Sequence, residues 1–292
     1  MSARPRRSCL YMPGANAKAL EKAKTLPADV LLLDLEDSVA PEAKEAAREQ
    51  VVNAVKGGGY GKREIIVRAN ALSTRWGKGD IVAAGAAKPD GLLAPKVSSA
   101  EEVIAIDNAM TAAGFPDSAT LWVMIETPRA FFNIAEIAAC ARKTRLSAFV
   151  LGLNDLAKET RARASNGRAA FYAPLSLAVL AARAEGITAI DGVFNDIADS
   201  EGLVAECRQG LEFGYDGKTL IHPSQIETAN LIFAPHEDEL IRARAVIDAF
   251  ALPENAGKGV IKVDGKMTEL LHLEEAKRVV AVAEAISQRT GA

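Results

Sequence analysis

Several features are scarce in this chain of 292 residues, and each shortage excludes something. Cysteine occurs three times, at Cys9, Cys140 and Cys207, an odd number at long separations. That fits neither a disulfide framework nor a cysteine zinc site, and it points to a reducing, cytoplasmic setting. The three histidines, His222, His236 and His272, are too few and too scattered for a histidine-rich zinc centre. Long apolar runs are also missing. Val30-Leu31-Leu32-Leu33 is among the longest, far short of the ~20 residues that cross a bilayer. No long apolar segment follows Arg4, Arg6 and Arg7, and a strand-like run begins almost immediately, so neither a secretory signal nor a transit peptide is expected. Those arginines read as a solvated tail, with contact to an anionic ligand as the alternative. Neither sign of charge dominates, since 35 Lys+Arg against 38 Asp+Glu leave a net −3. A general nucleic-acid binder would carry a basic footprint instead.

What is present is the balance of a soluble globular protein, 49% apolar and 25% charged. A chain of this length buries about three-quarters of its unfolded surface without needing a staple. Short apolar runs recur at 8–13, 29–37, 64–70, 91–97, 120–127, 147–155, 186–194 and 218–223. They are continuous and not alternating, as suits parallel strands buried on both faces. Between them lie Ala/Glu/Lys-rich stretches at 41–56, 99–112, 129–142, 171–185 and 198–212 that read as helices. Eight strands alternating with helices predict a (β/α)8 TIM barrel over residues 1–232, with an open doubly wound sheet as the runner-up. No GxGxxG follows the first strand. Residues 233–292 read as an appendage, a lid or an oligomer contact. It comprises a helix at 237–251, a loop at 252–259, a hairpin or strand at 260–267 and an amphipathic helix at 269–288.

Barrel enzymes carry their reacting groups at the C-terminal ends of the strands. Those ends offer Asp34, Glu36, Asp37, Arg68, Asn70, Lys96, Glu126, Asn154, Asp155, Asp191 and His222. An acidic rim with one arginine suits a hard divalent cation on oxygen ligands. Glu126 and Asp155, closing apolar runs on adjacent strands, are the best metal candidates; helix capping or arginine pairing is the competing reading. Two carboxylates leave several Mg2+ positions for water and substrate, and Mn2+ would serve as a similar cation. Arg68 can grip a carboxylate with two hydrogen bonds, or form an ion pair with Glu36 or Asp37. Lys96 invites a Schiff-base reading, but an acidic rim keeps it protonated and favours salt bridging or anion contact. His222 reads as packed or bonded to backbone, and Tyr11 and Trp76 as packing residues or ligand contacts.

These residues resemble a known family, the citrate lyase β-subunit-like proteins with their malyl-CoA and citramalyl-CoA lyase relatives (HpcH/HpaI aldolase superfamily). The matching segments are RSCLYMPG (7–14), DLEDSV (34–39), VRAN (67–70), RWG (75–77) and APK (94–96). IETPRA (125–130), GLNDLA (152–157), IDGVFNDIAD (190–199) and GYDGKTLIHPSQI (214–226) follow. The resemblance implies a barrel that uses Mg2+ to cleave or form a C–C bond between a 2-oxo acid and an acyl thioester of coenzyme A. It assigns Glu126 and Asp155 to the metal. Arg68 would hold the oxo acid and steady the thioester enolate, while Glu36 and Asp37 would orient waters around the cation. Tyr11, Pro13, Lys96, His222 and Pro223 would contact the coenzyme A side.

Family members that use coenzyme A bring an acid into a neighbour's site on a C-terminal lid, within a motif like GKMID. This chain reads GKMTE at 265–269, so Glu269 stands where aspartate is usual. It is either a lid acid of longer reach or an N-terminal charge on the last helix. A lid serving a neighbour implies a homo-oligomer, a trimer or a dimer of trimers. The expected activity is a Mg2+-dependent lyase acting on malyl-CoA or citramalyl-CoA. The alternatives are a malyl-CoA thioesterase and a citrate lyase β subunit working inside a complex.

Overall fold

The computed structural model describes residues 4–163 and 167–290. Eight strands occur in its larger body, residues 6–231: β1 (Ser8–Pro13), β2 (Val30–Asp34), β3 (Glu64–Arg68), β4 (Gly91–Ala94), β5 (Thr120–Ile125), β6 (Leu146–Leu151), β7 (Thr188–Asp191) and β8 (Gly217–Leu220). They pair in parallel and in chain order, and the ring closes where Ser8, Cys9 and Leu10 face Lys218, Thr219 and Leu220. Helices connect them, so this is the (β/α)8 barrel, and the open doubly wound alternative, which leaves two free edges, does not apply.

Apart from Lys218 and Thr219 in β8 and polar residues near strand ends, the strands are apolar, because both of their faces are covered. Cys9, Val30, Leu32, Ile66, Leu93, Trp122, Met124, Ala148, Val150 and Ile190 form one buried cluster, with Tyr11 packed against it. Leu31, Leu33, Leu92, Val123 and Phe149 alternate with them and are also fully buried. All three cysteines are buried.

Arg6 and Arg7 are not a solvated tail. Arg6 donates to both carboxylate oxygens of Glu64 at 2.8 Å and to Thr188 Oγ1 at 2.9 Å. Its guanidinium lies 4.6 Å from the centre of the Trp122 ring. Glu64 and Thr188 begin β3 and β7, so the arginine sits at the N-terminal end of the ring. Arg7 donates to both oxygens of the fully buried Asp29, at 2.8 and 3.0 Å, through Nε and Nη2. Charges this deep are stable only when paired and hydrogen-bonded, and both arginines are.

Helix starts follow the side-chain chemistry. Asn16, Ser99, Thr127 and Asp199 each accept a hydrogen bond from a backbone N–H in the first turn. The stretch expected as one helix at 129–142 is instead three pieces, Pro128–Phe132, Ile134–Ala139 and the 3-10 turn Cys140–Arg142. The break falls at Asn133, whose side-chain amide donates to Ser98 O at 2.8 Å. A helix at Gly77–Ala87 is obscured by its glycines, which weaken helix propensity. Gly77 and Gly85 lie against the carbonyls of Ala71 and Ala113, where a Cβ has no room.

The smaller body is built from residues 4–5 and 232–290. Helix Glu237–Ala251 precedes an antiparallel hairpin, β9 (Val260–Val263) and β10 (Lys266–Glu269), and helix Leu270–Thr290 follows. The turn is Asp264-Gly265, both at positive φ (48° and 80°), the Asp-Gly combination that a two-residue hairpin loop requires. Ala243, Val246, Ile261, Val263 and Ala276 form its core. Among the described residues no helix is long and apolar enough to cross a membrane.

Candidate active site

The parallel register sets Asp34, the last residue of β2, opposite Arg68, the last of β3. Arg68 Nε and Nη2 donate to Asp34 Oδ1 and Oδ2 at 2.6 and 2.7 Å. That leaves Nη1 2.8 Å from Glu36 Oε2, an ion pair without an aligned hydrogen bond, and donating to Asp37 Oδ2 at 3.5 Å. The guanidinium stacks over Tyr11, 4.6 Å from the ring centre. Burial opposes ionisation of Asp34, yet the adjacent Arg68 cation wins and holds its carboxyl below the ordinary value. Glu36 behaves oppositely. Burial, with Asp37 and Asp34 nearby, pushes its carboxyl up to about 7 despite the pull of Arg68. Lys44 Nζ donates to the carbonyls of Leu35 and Glu36 at 2.9 and 2.7 Å, and Asn70 Nδ2 donates to Leu35 O at 2.8 Å. The loop carrying Glu36 is therefore pinned by two side chains.

Glu126 follows β5 and Asp155 lies in the first turn of helix Leu153–Thr160 after β6. Lys96, after β4, stands between them, with Nζ 2.5 Å from Asp155 Oδ2 and 3.6 Å from Glu126 Oε1. The Lys96 backbone N–H donates to the same Glu126 oxygen at 2.7 Å. Glu126 is 1% exposed, and burial pushes its carboxyl up to about 8 although Lys96 opposes this. For Asp155 burial is outweighed by the bond from Lys96, and its value falls. Lys96 itself is raised, its carboxylate partners overcoming burial. Gly152 closes the wall: a Cβ there would collide with the Glu126 side chain, so only glycine leaves space for that carboxylate.

A metal has to fit that donor set. Among the described residues no three or more His, Cys, Asp and Glu side chains converge as a cage. The Glu126–Asp155 pair offers oxygen only, from two ligands, and a cation already lies between the two side chains as an ammonium. That matches Mg2+, which takes one or two carboxylates and fills its remaining positions with water and substrate oxygens. The Gly152 cradle and the Lys96 ammonium both show a site shaped around negative oxygen.

The remaining candidates are placed as follows. Pro13 ends β1 opposite Asp34, and Gly14 N–H donates to Asp34 O at 2.8 Å, which fixes that turn beside the arginine pair. Tyr11 lies under Arg68, and burial pushes its phenol far above the ordinary value. His222 is exposed, not packed; its Nδ1 accepts from Ser224 N–H at 3.2 Å and caps the turn Pro223–Gln225. Asn154 and Asn195 exchange amide hydrogen bonds of 3.1 and 2.8 Å. Asp191 does not belong to an open rim. It is fully buried between Arg168 and Lys218, 2.8 and 2.9 Å away. Glu269 stands in the smaller body, exposed on β10 opposite Val260, its N–H donating to His272 Nδ1 at 3.0 Å. A cavity of about 230 Å3 in that body, lined by Asp238, Arg242, Val263 and Lys266, holds none of the rim residues.

The sequence names Asp34 as one acidic strand end without assigning it the Arg68 pairing, and Lys44 and Gly152 are not singled out at all. For Asp34 a signal existed, because DLED and VRAN align strand end to strand end. For Lys44 and Gly152 the role depends on tertiary approach, which no local pattern encodes.

A family model described as HpcH/HpaI aldolase/citrate lyase matches residues 7–223. A Cereibacter sphaeroides protein named (3S)-malyl-CoA thioesterase is 48% identical over 285 residues, 98% of this chain and 97% of the relative. The L-malyl-CoA/β-methylmalyl-CoA lyase of that species is 33% identical over 309 residues, 98% of this chain and 96% of the relative. Among solved structures, protein CitE from Mycobacterium tuberculosis, in complex with magnesium, acetoacetate and coenzyme A, is similar with a TM-score of 0.76. It shares 28% identity and covers 97% of this chain and 100% of that one. Barrel topology, rim chemistry and these matches converge: the chain belongs to the HpcH/HpaI aldolase/citrate lyase family.

Proposed function

We propose that this protein is a Mg2+-dependent malyl-CoA thioesterase, hydrolysing malyl-CoA to free malate and coenzyme A. The observation that carries this reading is the 48% identity across 98% of the chain to proteins bearing that name, against 33% for the malyl-CoA lyase. Glu126 and Asp155 would hold the cation, which supplies Lewis-acid polarisation of the substrate oxygens when bound. Residues 1–232 would form the catalytic domain and 233–292 the appendage.

Arg68 is fixed by Asp34 through Nε and Nη2, so that Nη1, beside Glu36 and Asp37, is the nitrogen a substrate oxygen would compete for. A guanidinium held in advance can stabilise the negative oxygen that develops when water attacks the thioester carbonyl. Glu36 sits beside that nitrogen with a carboxyl near 7, poised for general-base work at neutral pH. It accepts the proton of the attacking water, the C–S bond then breaks, and the same proton passes to the departing thiolate. Asp37 orients water beside it. Tyr11, Pro13, Lys96, His222 and Pro223 line the coenzyme A side.

A lyase is the second reading, favoured by the full-length similarity to the malyl-CoA lyase and by Glu269 on an exposed hairpin. In that case Glu269 serves the site of a second copy, and the protein is a homo-oligomer, a trimer or hexamer. Incubation of purified protein with malyl-CoA and Mg2+, followed by product identification, separates the two. Malate and coenzyme A without glyoxylate support hydrolysis; glyoxylate with acetyl-CoA overturns it in favour of the lyase. Turnover by the isolated chain eliminates an obligate subunit of a citrate lyase complex.

A further inference from the structure

Lys96 is held in an unusual way. Its φ is 59°, in the left-handed region that few non-glycine residues adopt. The residue is bonded at both ends. The main-chain N–H donates to Glu126 Oε1 at 2.7 Å, and the ammonium reaches Asp155 Oδ2 at 2.5 Å and Glu126 Oε1 at 3.6 Å. One residue therefore grips one carboxylate through its backbone and bridges both through its side chain.

We propose that Lys96 is an internal counter-ion of the Glu126–Asp155 pair that competes with the divalent cation, keeping the carboxylates converged and giving way when the cation binds. The inference rests on the reading of Glu126 and Asp155 as magnesium ligands. A divalent ion coordinates oxygen at about 2.0–2.1 Å, so it cannot share an oxygen with an ammonium in direct contact. Two like charges so close repel strongly in a corner where Glu126 is almost fully buried. The ammonium has somewhere to go, because the Lys96 side chain is 33% exposed. The backbone N–H bond to Glu126 does not involve the ammonium and keeps that carboxylate in place during the exchange.

The sign of the effect follows. Removing the ammonium deletes the competitor for the same oxygens. That change favours cation binding. A lysine that merely helped to bind the cation or the substrate would give the opposite result or none.

The test is calorimetric titration of Mg2+, without substrate, into the wild type and the Lys96→Met, Lys96→Gln and Lys158→Met variants. Lys158 is exposed on the same helix as Asp155 and controls for loss of nearby charge. We expect Lys96→Met and Lys96→Gln to bind Mg2+ about tenfold more tightly, a typical coupling between competing sites, with Lys158→Met close to the wild type. Mg2+ should also raise the melting temperature of the Lys96 variants more than that of the wild type. Trace acetylation of the wild type, read by mass spectrometry, needs no variant to fold. Labelling of Lys96 should rise severalfold when Mg2+ is added. Unchanged or weaker Mg2+ binding by the Lys96 variants, equal tightening by Lys158→Met, or labelling that does not rise overturns the inference while the metal reading stands. A wild type that binds no Mg2+ overturns both.

Discussion

Asp34 and Arg68 face each other across two neighbouring strands and close two parallel hydrogen bonds, so the aspartate sets the direction in which the arginine can act. Asp34→Asn keeps the volume but removes the charge and one acceptor. We expect kcat/KM for malyl-CoA to fall by about 10²–10³, the usual loss when one prearranged donor is misplaced. Arg68→Lys should fall comparably, because an ammonium cannot reproduce the planar two-point grip. Steady-state kinetics on both variants check this; near-wild-type activity in Asp34→Asn would show that Arg68 needs no such partner.

Chelation gives a second expectation. EDTA should abolish turnover and Mg2+ restore it, and Glu126→Gln and Asp155→Asn should each lose nearly all activity while remaining folded by circular dichroism. Activity indifferent to EDTA would remove the metal from the mechanism altogether.

Gly152 allows a test by the smallest change possible. Its backbone is in a region open to alanine, at φ −109°, so the obstacle to Gly152→Ala is the Glu126 side chain, whose Cβ and carboxylate both crowd the added methyl. We expect Mg2+ affinity to drop by about 10–100-fold, as for other disturbances around ligating groups, with a change of only a few degrees in melting temperature.

The buried Asp191 cluster predicts the acid limb of stability. Lys218 and Arg168 outweigh burial and hold the Asp191 carboxyl below its ordinary value. A depressed carboxyl contributes stability that is complete above its unfolded value, about 3.9. The contribution is lost as pH falls through that value toward the folded one. Asp191→Asn should cost ~3–5 kcal/mol at pH 7 because it strands two buried cations. The gap to wild type should shrink between about pH 5 and 3. Denaturant melts at several pH values measure both quantities, and a gap that stays constant would refute the assignment.

Much of this was legible from residue order alone. Eight continuous apolar runs are enough to expect a barrel, and IETPRA and GLND bring Glu126, just after β5, and Asp155, in the helix turn after β6, to the same side of adjacent strands. Charge pairing was harder to read. Arg6 and Arg7 look like a tail because their partners, Glu64 and Asp29, lie in other strands' approaches. The helix around Gly77 is hidden because its glycines were selected by close backbone approach and not by local propensity. Asp191 looks like a rim ligand until Lys218 and Arg168 arrive from β8 and a distant turn. Strand pattern is local and repeats; charge partnership is decided by which chain segments the closed ring brings together.

The seam between β1 and β8 also shapes how the molecule is made. Synthesis delivers Ser8 early and its partner Lys218 only after every other strand of the barrel. Until then β1 carries one open edge, and an open edge recruits whatever strand it meets first. A chain that lacks the residues from 217 onward cannot close the ring and leaves the outer edges of β1 and β7 without their partner strand. The last strand is thus what makes the preceding ones safe from one another's copies.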